Sequence, residues 1–167
     1  MKHENALTVI TMGLFALLVG LLHYGFFRTP DHVYFLRLFR VPPEFSTTLP
    51  HFLAGLDNHL PSFIHVFSFS LLTAALLPFN GKNILFSCSF WTAVNLLFEL
   101  GQKYKAAAVG LVPSWFQSIP FLENTADFFR YGVFDFIDMA TMVAAGVMAY
   151  LILQKFKGRS GHEKSIF

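Results

Sequence analysis

Four apolar runs, each close to the length of a bilayer crossing, alternate with stretches where prolines and polar residues gather. The runs occupy 6–27, 62–79, 83–100 and 134–153, and a hydrocarbon core of about 30 Å needs roughly 20 residues of helix. The pattern predicts an all-α, polytopic integral membrane protein: one domain over 1–167, built as an up-down-up-down four-helix transmembrane bundle. Pro61 precedes the second run and Pro78-Phe79-Asn80-Gly81 follows it, so the second and third helices are expected to form a tight antiparallel hairpin. The first run ends in His23-Tyr24-Gly25-Phe26-Phe27-Arg28 without a small-x-small cleavage pattern, and reads as a retained helix rather than a secretory signal.

Two long connections separate these runs. Segment 28–61 carries Pro30, Pro42, Pro43, Pro50 and Pro61, and its stretch 33–39 (VYFLRLF) is too short to span but suits an amphipathic element at the interface. Segment 102–133 sets Trp115, Phe116, Phe121, Phe128, Phe129 and Tyr131 among polar residues, and aromatic side chains favour the headgroup level. With four spans, both connections fall on one membrane face, where they are expected to cap the bundle.

Composition supports lipid as the solvent. Charged residues make up 13% of the chain, against roughly 25% in soluble domains. Lys and Arg tie across the two faces, six against six. The dense basic tail from Lys155 to Lys164 breaks the tie and places both termini in the cytoplasm. The lone Cys88 rules out an intramolecular disulfide, and no basic stripe interleaved with aromatics suggests nucleic acid. There is no His-Glu-x-x-His, no Gly-rich nucleotide loop and no paired basic and Ser-Gly-His signature of an intramembrane phosphatase.

The polar residues inside the apolar runs are organised. Asn95, Glu99 and Gln102 follow one another at steps of four and three, which return a side chain to the same helical face. In an up-down-up-down bundle the end of an odd helix and the start of an even one share a membrane face. His23, His65, the Asn95-Glu99-Gln102 stripe, Asp135 and Asp138 therefore all lie toward the capped side. Ionisable groups in such a position are functional candidates. Competing assignments stand beside each: Glu99 as an interfacial carboxylate paired with Lys103, Asp135 and Asp138 as N-terminal charges of the fourth helix, His65 and His23 as packed interfacial histidines. Ser68, Ser70 and Thr73 read as hydrogen-bonding within or across a tight helix interface, and Ala140, Ala144, Ala145, Gly146 and Ala149 as a close-packing surface.

The stretches HVFSFSLLTAALL with His65, FELGQ with Glu99 and Gln102, and GVFDFIDMATMVAAG with Asp135 and Asp138 resemble, in their order, the motifs of VanZ-like membrane proteins. The resemblance covers roughly 60–153. It marks His65, Glu99, Gln102 and Asp138 as matching positions, with Asp135 and Arg130 as weaker ones. It departs at Gly132-Val133, where the family has Gly-Arg, and at Met142, where the family has Asn. The connection after Gln102 is also longer than the family's. The resemblance implies a small multi-pass protein of the bacterial inner membrane, linked in the family's named member to glycopeptide resistance.

The function expected from these readings is binding of an amphiphile, whether a lipid, a lipid-linked glycan or a lipophilic antibiotic. Its polar head would meet His65, Asn95, Glu99, Gln102, Arg130, Asp135 and Asp138 at the outer membrane face. No cofactor is identified and no metal ligand set is assigned. Two alternatives are an intramembrane enzyme, with Glu99 or Asp138 as general base and His65 as its partner or a metal ligand, and a small structural subunit of a membrane complex.

Overall fold

The computed structural model describes residues 3–27, 54–120 and 122–162. Among these the regular structure is entirely helical: α1 (His3–Phe27), α2 (Ala54–Leu76), α3 (Gly81–Lys103), α4 (Lys105–Leu111), a 3₁₀ turn (Ser114–Ser118), α5 (Thr125–Tyr131) and α6 (Phe136–His162). Four of them, α1, α2, α3 and α6, are long and apolar enough to cross a bilayer, which makes this a membrane protein with an all-α polytopic bundle. The expected element at 33–39 and the rest of 28–53 lie outside the described residues.

α2 is the centre of the bundle. It packs against α1, α3 and α6, α3 also packs against α6, and the α2 span is the most enclosed of the four. The shared core is Val9 from α1, Val66, Phe67, Leu71 and Ala74 from α2, Ile84 and Cys88 from α3, and Met142, Ala145, Ala149 and Leu153 from α6. Facing outward are Leu14, Phe15 and Leu18 of α1, Leu85, Phe86 and Phe90 of α3, and Val147 and Leu151 of α6. These form the surface that a bilayer solvates, since lipid imposes no penalty on exposed apolar side chains.

Small residues set the closest approaches. A Cβ on Gly13 would stand 2.9 Å from Leu72 Cγ, one on Gly20 would stand 3.0 Å from Ile64 Cγ2, and one on Gly146 would strike Thr92 Oγ1. The Gly13–Leu72 and Gly20–Ile64 pairings also fix α1 as antiparallel to α2. The α2–α3 hairpin turns where Pro78-Phe79-Asn80-Gly81 predicts it. Asn80 Oδ1 accepts the Asn83 N–H at 2.9 Å as the N-cap of α3, and Asn83 Nδ2 donates to the Pro78 carbonyl at 2.7 Å. Farther along the hairpin, Trp91 Nε1 donates to Thr73 Oγ1 at 2.8 Å while the Trp91 ring stacks on Phe69 at 4.8 Å. Thr73 thus bonds across the interface rather than back onto its own helix.

Helix boundaries differ from the apolar runs at several points. α2 begins at Ala54 and carries Pro61 inside it: the proline forfeits one backbone hydrogen bond and crowds the carbonyl four residues earlier, while its ring is buried. α6 begins at Phe136, since Gly132 is extended (φ −60°, ψ 154°) and Asp135 serves as the cap. The same helix runs on to His162, past the apolar run, as Phe156 still packs against the core.

Candidate functional site

α3 delivers its polar stripe as one surface. Glu99 and Gln102 are buried, with 4% and 8% of their surface exposed, on a helix otherwise facing lipid or the apolar core. Glu99 Oε1 accepts the backbone N–H of Asp135 at 2.6 Å, which ties the last turn of α3 to the residue before α6. Gln102 packs against Gly132: a Cβ there would stand 2.6 Å from both the Cδ and Oε1 of Gln102, so the chain crosses the amide only because residue 132 has no side chain. Asn95, half-buried, donates Nδ2 to the Trp91 carbonyl one turn back at 2.9 Å, leaving its amide oxygen to present to a ligand.

The opposing walls come from α2 and α6. Pro61, Ser62, His65 and Phe69 of α2, and Asp138 and Met142 of α6, enclose with the α3 stripe a pocket of about 360 Å³ that Trp91, Phe98 and Phe128 complete. His65 presents its ring along α2 beside Phe69, at 6.1 Å between centroids. Asp138 Oδ1 accepts a hydrogen bond from His59 Nδ1 at 2.8 Å, the imidazole being the donor because an ionised carboxylate only accepts.

The residues expected to meet do so in large part. His65, Asn95, Glu99, Gln102 and Asp138 line one pocket. Asp135 adjoins it through its backbone N–H on Glu99, while its carboxylate caps α6 by accepting the Ile137 N–H at 2.7 Å. The capping reading of Asp135 therefore holds for that oxygen, whereas Asp138 turns to His59. Arg130 is elsewhere: exposed on α5, it forms an ion pair with Asp127 at 2.8 Å and does not line the pocket. Lys103 does not pair with Glu99 among the described residues; its ammonium lies over the Phe134 and Phe136 rings at 5.0 and 5.5 Å. His23 is buried on α1, outside the pocket lining.

His59 is the residue that the hydropathy pattern misses. Starting the second helix after Pro61 leaves His59 in a loop, whereas running the helix through Pro61 sets it one turn before Ser62 and Phe63, on a face that reaches α6.

A second, apolar groove of about 380 Å³ adjoins the pocket, lined by Leu97, Phe98, Tyr104, Leu111, Phe116 and Phe129 among others. Phe98 belongs to both cavities and packs on Phe128 and Phe129 at 5.8 and 5.4 Å between ring centroids. The short helices α4 and α5 pack against each other and against α3. Comparison of the chain with family models, with curated proteins and with solved structures finds no match in any of the three.

Proposed function

We propose that the chain is a VanZ-like protein of the bacterial cell envelope that binds an amphiphile at the outer face of the inner membrane, with both termini in the cytoplasm. One observation carries the reading: a pocket walled by His65, Asn95, Glu99, Gln102 and Asp138 stands beside an apolar groove, and Phe98 is common to both. A ligand with a polar head and a hydrocarbon tail matches that pairing. Hydroxyl or amide donors of a glycan or peptide head would be held by the Glu99 and Asp138 carboxylates, and its acceptors by the Gln102 amide and the His65 ring. The tail would exchange lipid contacts for the Leu97–Phe116 side of the groove, a nearly neutral transfer between apolar surroundings that leaves the choice of ligand to its polar head.

Binding sites of this kind are concave, largely apolar and furnished with a few convergent polar groups. The order of short motifs shared with VanZ-like proteins supports the envelope assignment, and the longer connection after Gln102 builds the groove that such a ligand requires. A second reading, an intramembrane enzyme acting on an envelope lipid by acid–base chemistry, draws on the hydrogen-bonded His59–Asp138 pair at the rim of the pocket.

A pull-down of an envelope lipid extract by the detergent-solubilised protein tests the binding reading. The wild-type chain is expected to enrich one amphiphile class over bulk phospholipid, and Glu99→Gln or Asp138→Asn to lose that enrichment. Equal recovery by all three proteins would sink the proposal.

A further inference from the structure

We propose that His59, Asp135 and Asp138 form a binding site for a divalent transition-metal ion at the rim of the pocket. This goes beyond the amphiphile reading and does not depend on it.

The donor atoms are already assembled. One ring nitrogen of His59 and one carboxylate oxygen from each aspartate lie within 4.8 Å of one another, and all three residues are half-buried. They come from separate parts of the fold: His59 from α2, Asp135 from the segment leading into α6, and Asp138 from its first turn. Ion-to-ligand bonds of about 2.1 Å place neighbouring ligand atoms about 3 Å apart in octahedral and about 3.4 Å in tetrahedral geometry. The His59 Nδ1 to Asp138 Oδ1 separation of 2.8 Å is close to the first and opens slightly for the second. A side-chain adjustment brings the Asp135 carboxylate closer to the same centre, with Oδ1 holding the Ile137 N–H and the second oxygen available.

The groups around the cluster suit a cation. Glu99, itself 4% exposed, accepts the Asp135 backbone N–H, so a third carboxyl group stands beside the two aspartates. Among the described residues no lysine or arginine pairs with any of them. Arg130 is held by Asp127, the Lys105 ammonium donates to the Arg130 carbonyl at 3.3 Å, and Lys103 rests on aromatic rings. Among the described residues the offsets are the N-terminal dipole of α6, about half a charge, and the His59 hydrogen bond to Asp138, and an uncompensated carboxylate is costly near hydrocarbon.

One imidazole nitrogen with two carboxylate oxygens suits zinc or manganese better than magnesium or calcium, which prefer oxygen alone. Three protein ligands leave further coordination positions open. Asp138 belongs to both the cluster and the pocket wall, so an ion there borders whatever the pocket holds. Coordination through Nδ1 leaves the ring proton on Nε2, so His59 exchanges its hydrogen bond to Asp138 for a shared ion.

The test is metal alone on the detergent-solubilised full chain, stripped with chelator and titrated with Zn²⁺ or Mn²⁺ under calorimetry, with bound metal counted by mass spectrometry. One equivalent per chain is expected, and His59→Gln and Asp138→Asn should each weaken binding about tenfold or more. Asp127→Asn, an acid outside the cluster, should bind as the wild type does. Since either variant could fail to fold, the unaltered protein supplies a second readout. Zn²⁺ should raise its thermal midpoint, and Mg²⁺ should not. No stoichiometric binding by the wild type, or equal binding by a folded His59→Gln protein, overturns the proposal. No lipid is present, so this outcome is separate from the lipid pull-down.

Discussion

Glu99 near the end of α3 and Asp135 just before α6 are 36 positions apart in the chain, yet the Glu99 Oε1 accepts the Asp135 backbone N–H at 2.6 Å. This bond closes one end of the α3–α6 pair and turns the α3 stripe toward the pocket. An isosteric Glu99→Gln substitution keeps a carbonyl acceptor for that N–H and should leave the fold's stability nearly unchanged. Glu99→Leu strands the donor and should cost about 1–3 kcal/mol. Thermal unfolding of both variants in one detergent checks the difference, and equal midpoints would count against a structural role for the acceptor.

The α3–α6 contact depends on the absence of a side chain at Gly146. A methyl group there meets Thr92 Oγ1, which is itself anchored to the Cys88 carbonyl at 2.8 Å. Gly146→Ala should therefore destabilise by about 1–3 kcal/mol through overpacking. Gly110→Ala, where a Cβ has open space within a helix, should stabilise by about 0.5–1 kcal/mol. Chemical unfolding of the two variants is expected to move in opposite directions.

Much of this architecture is legible in hydropathy, because a bilayer demands long apolar helices and little else satisfies the backbone in hydrocarbon. The hairpin turn at Pro78 to Gly81 and the convergence of His65, Glu99, Gln102 and Asp138 follow from run lengths and alternating direction alone. What escapes is what tertiary packing decides. Pro61 reads as a boundary but sits inside α2, so His59 passes unnoticed although it holds Asp138. Arg130 follows the motif order, yet its side chain lies on the exposed face of α5, where Asp127, three residues earlier, captures it. The groove beside Phe98 depends on how α4 and α5 fold back, and no local periodicity encodes that.

Trp91 both stacks on Phe69 and hydrogen-bonds Thr73. Trp91→Phe retains an aromatic ring but loses the donor, and should cost about 0.5–1.5 kcal/mol. If Thr73→Val then adds little further loss in a double-mutant cycle, the two effects share that one bond. Full additivity would show that the hydrogen bond contributes nothing.

The bundle places the α2–α3 turn on the opposite face from α4 and α5. In a Cys88→Ser background, Lys82→Cys should react with a membrane-impermeant thiol reagent only after the cytoplasmic face is opened, and Glu123→Cys should react in intact cells. Labelling of both from one side would contradict the four-span topology, and the reverse pattern would invert the proposed orientation.

The most direct test of the account is native mass spectrometry of the protein released from mild detergent, wild type beside Glu99→Gln. The account predicts a retained amphiphile on the wild-type chain that is lost from a stable Glu99→Gln chain. A wild-type protein that emerges without any amphiphile, or a variant that keeps the same adduct in the same yield, would contradict it.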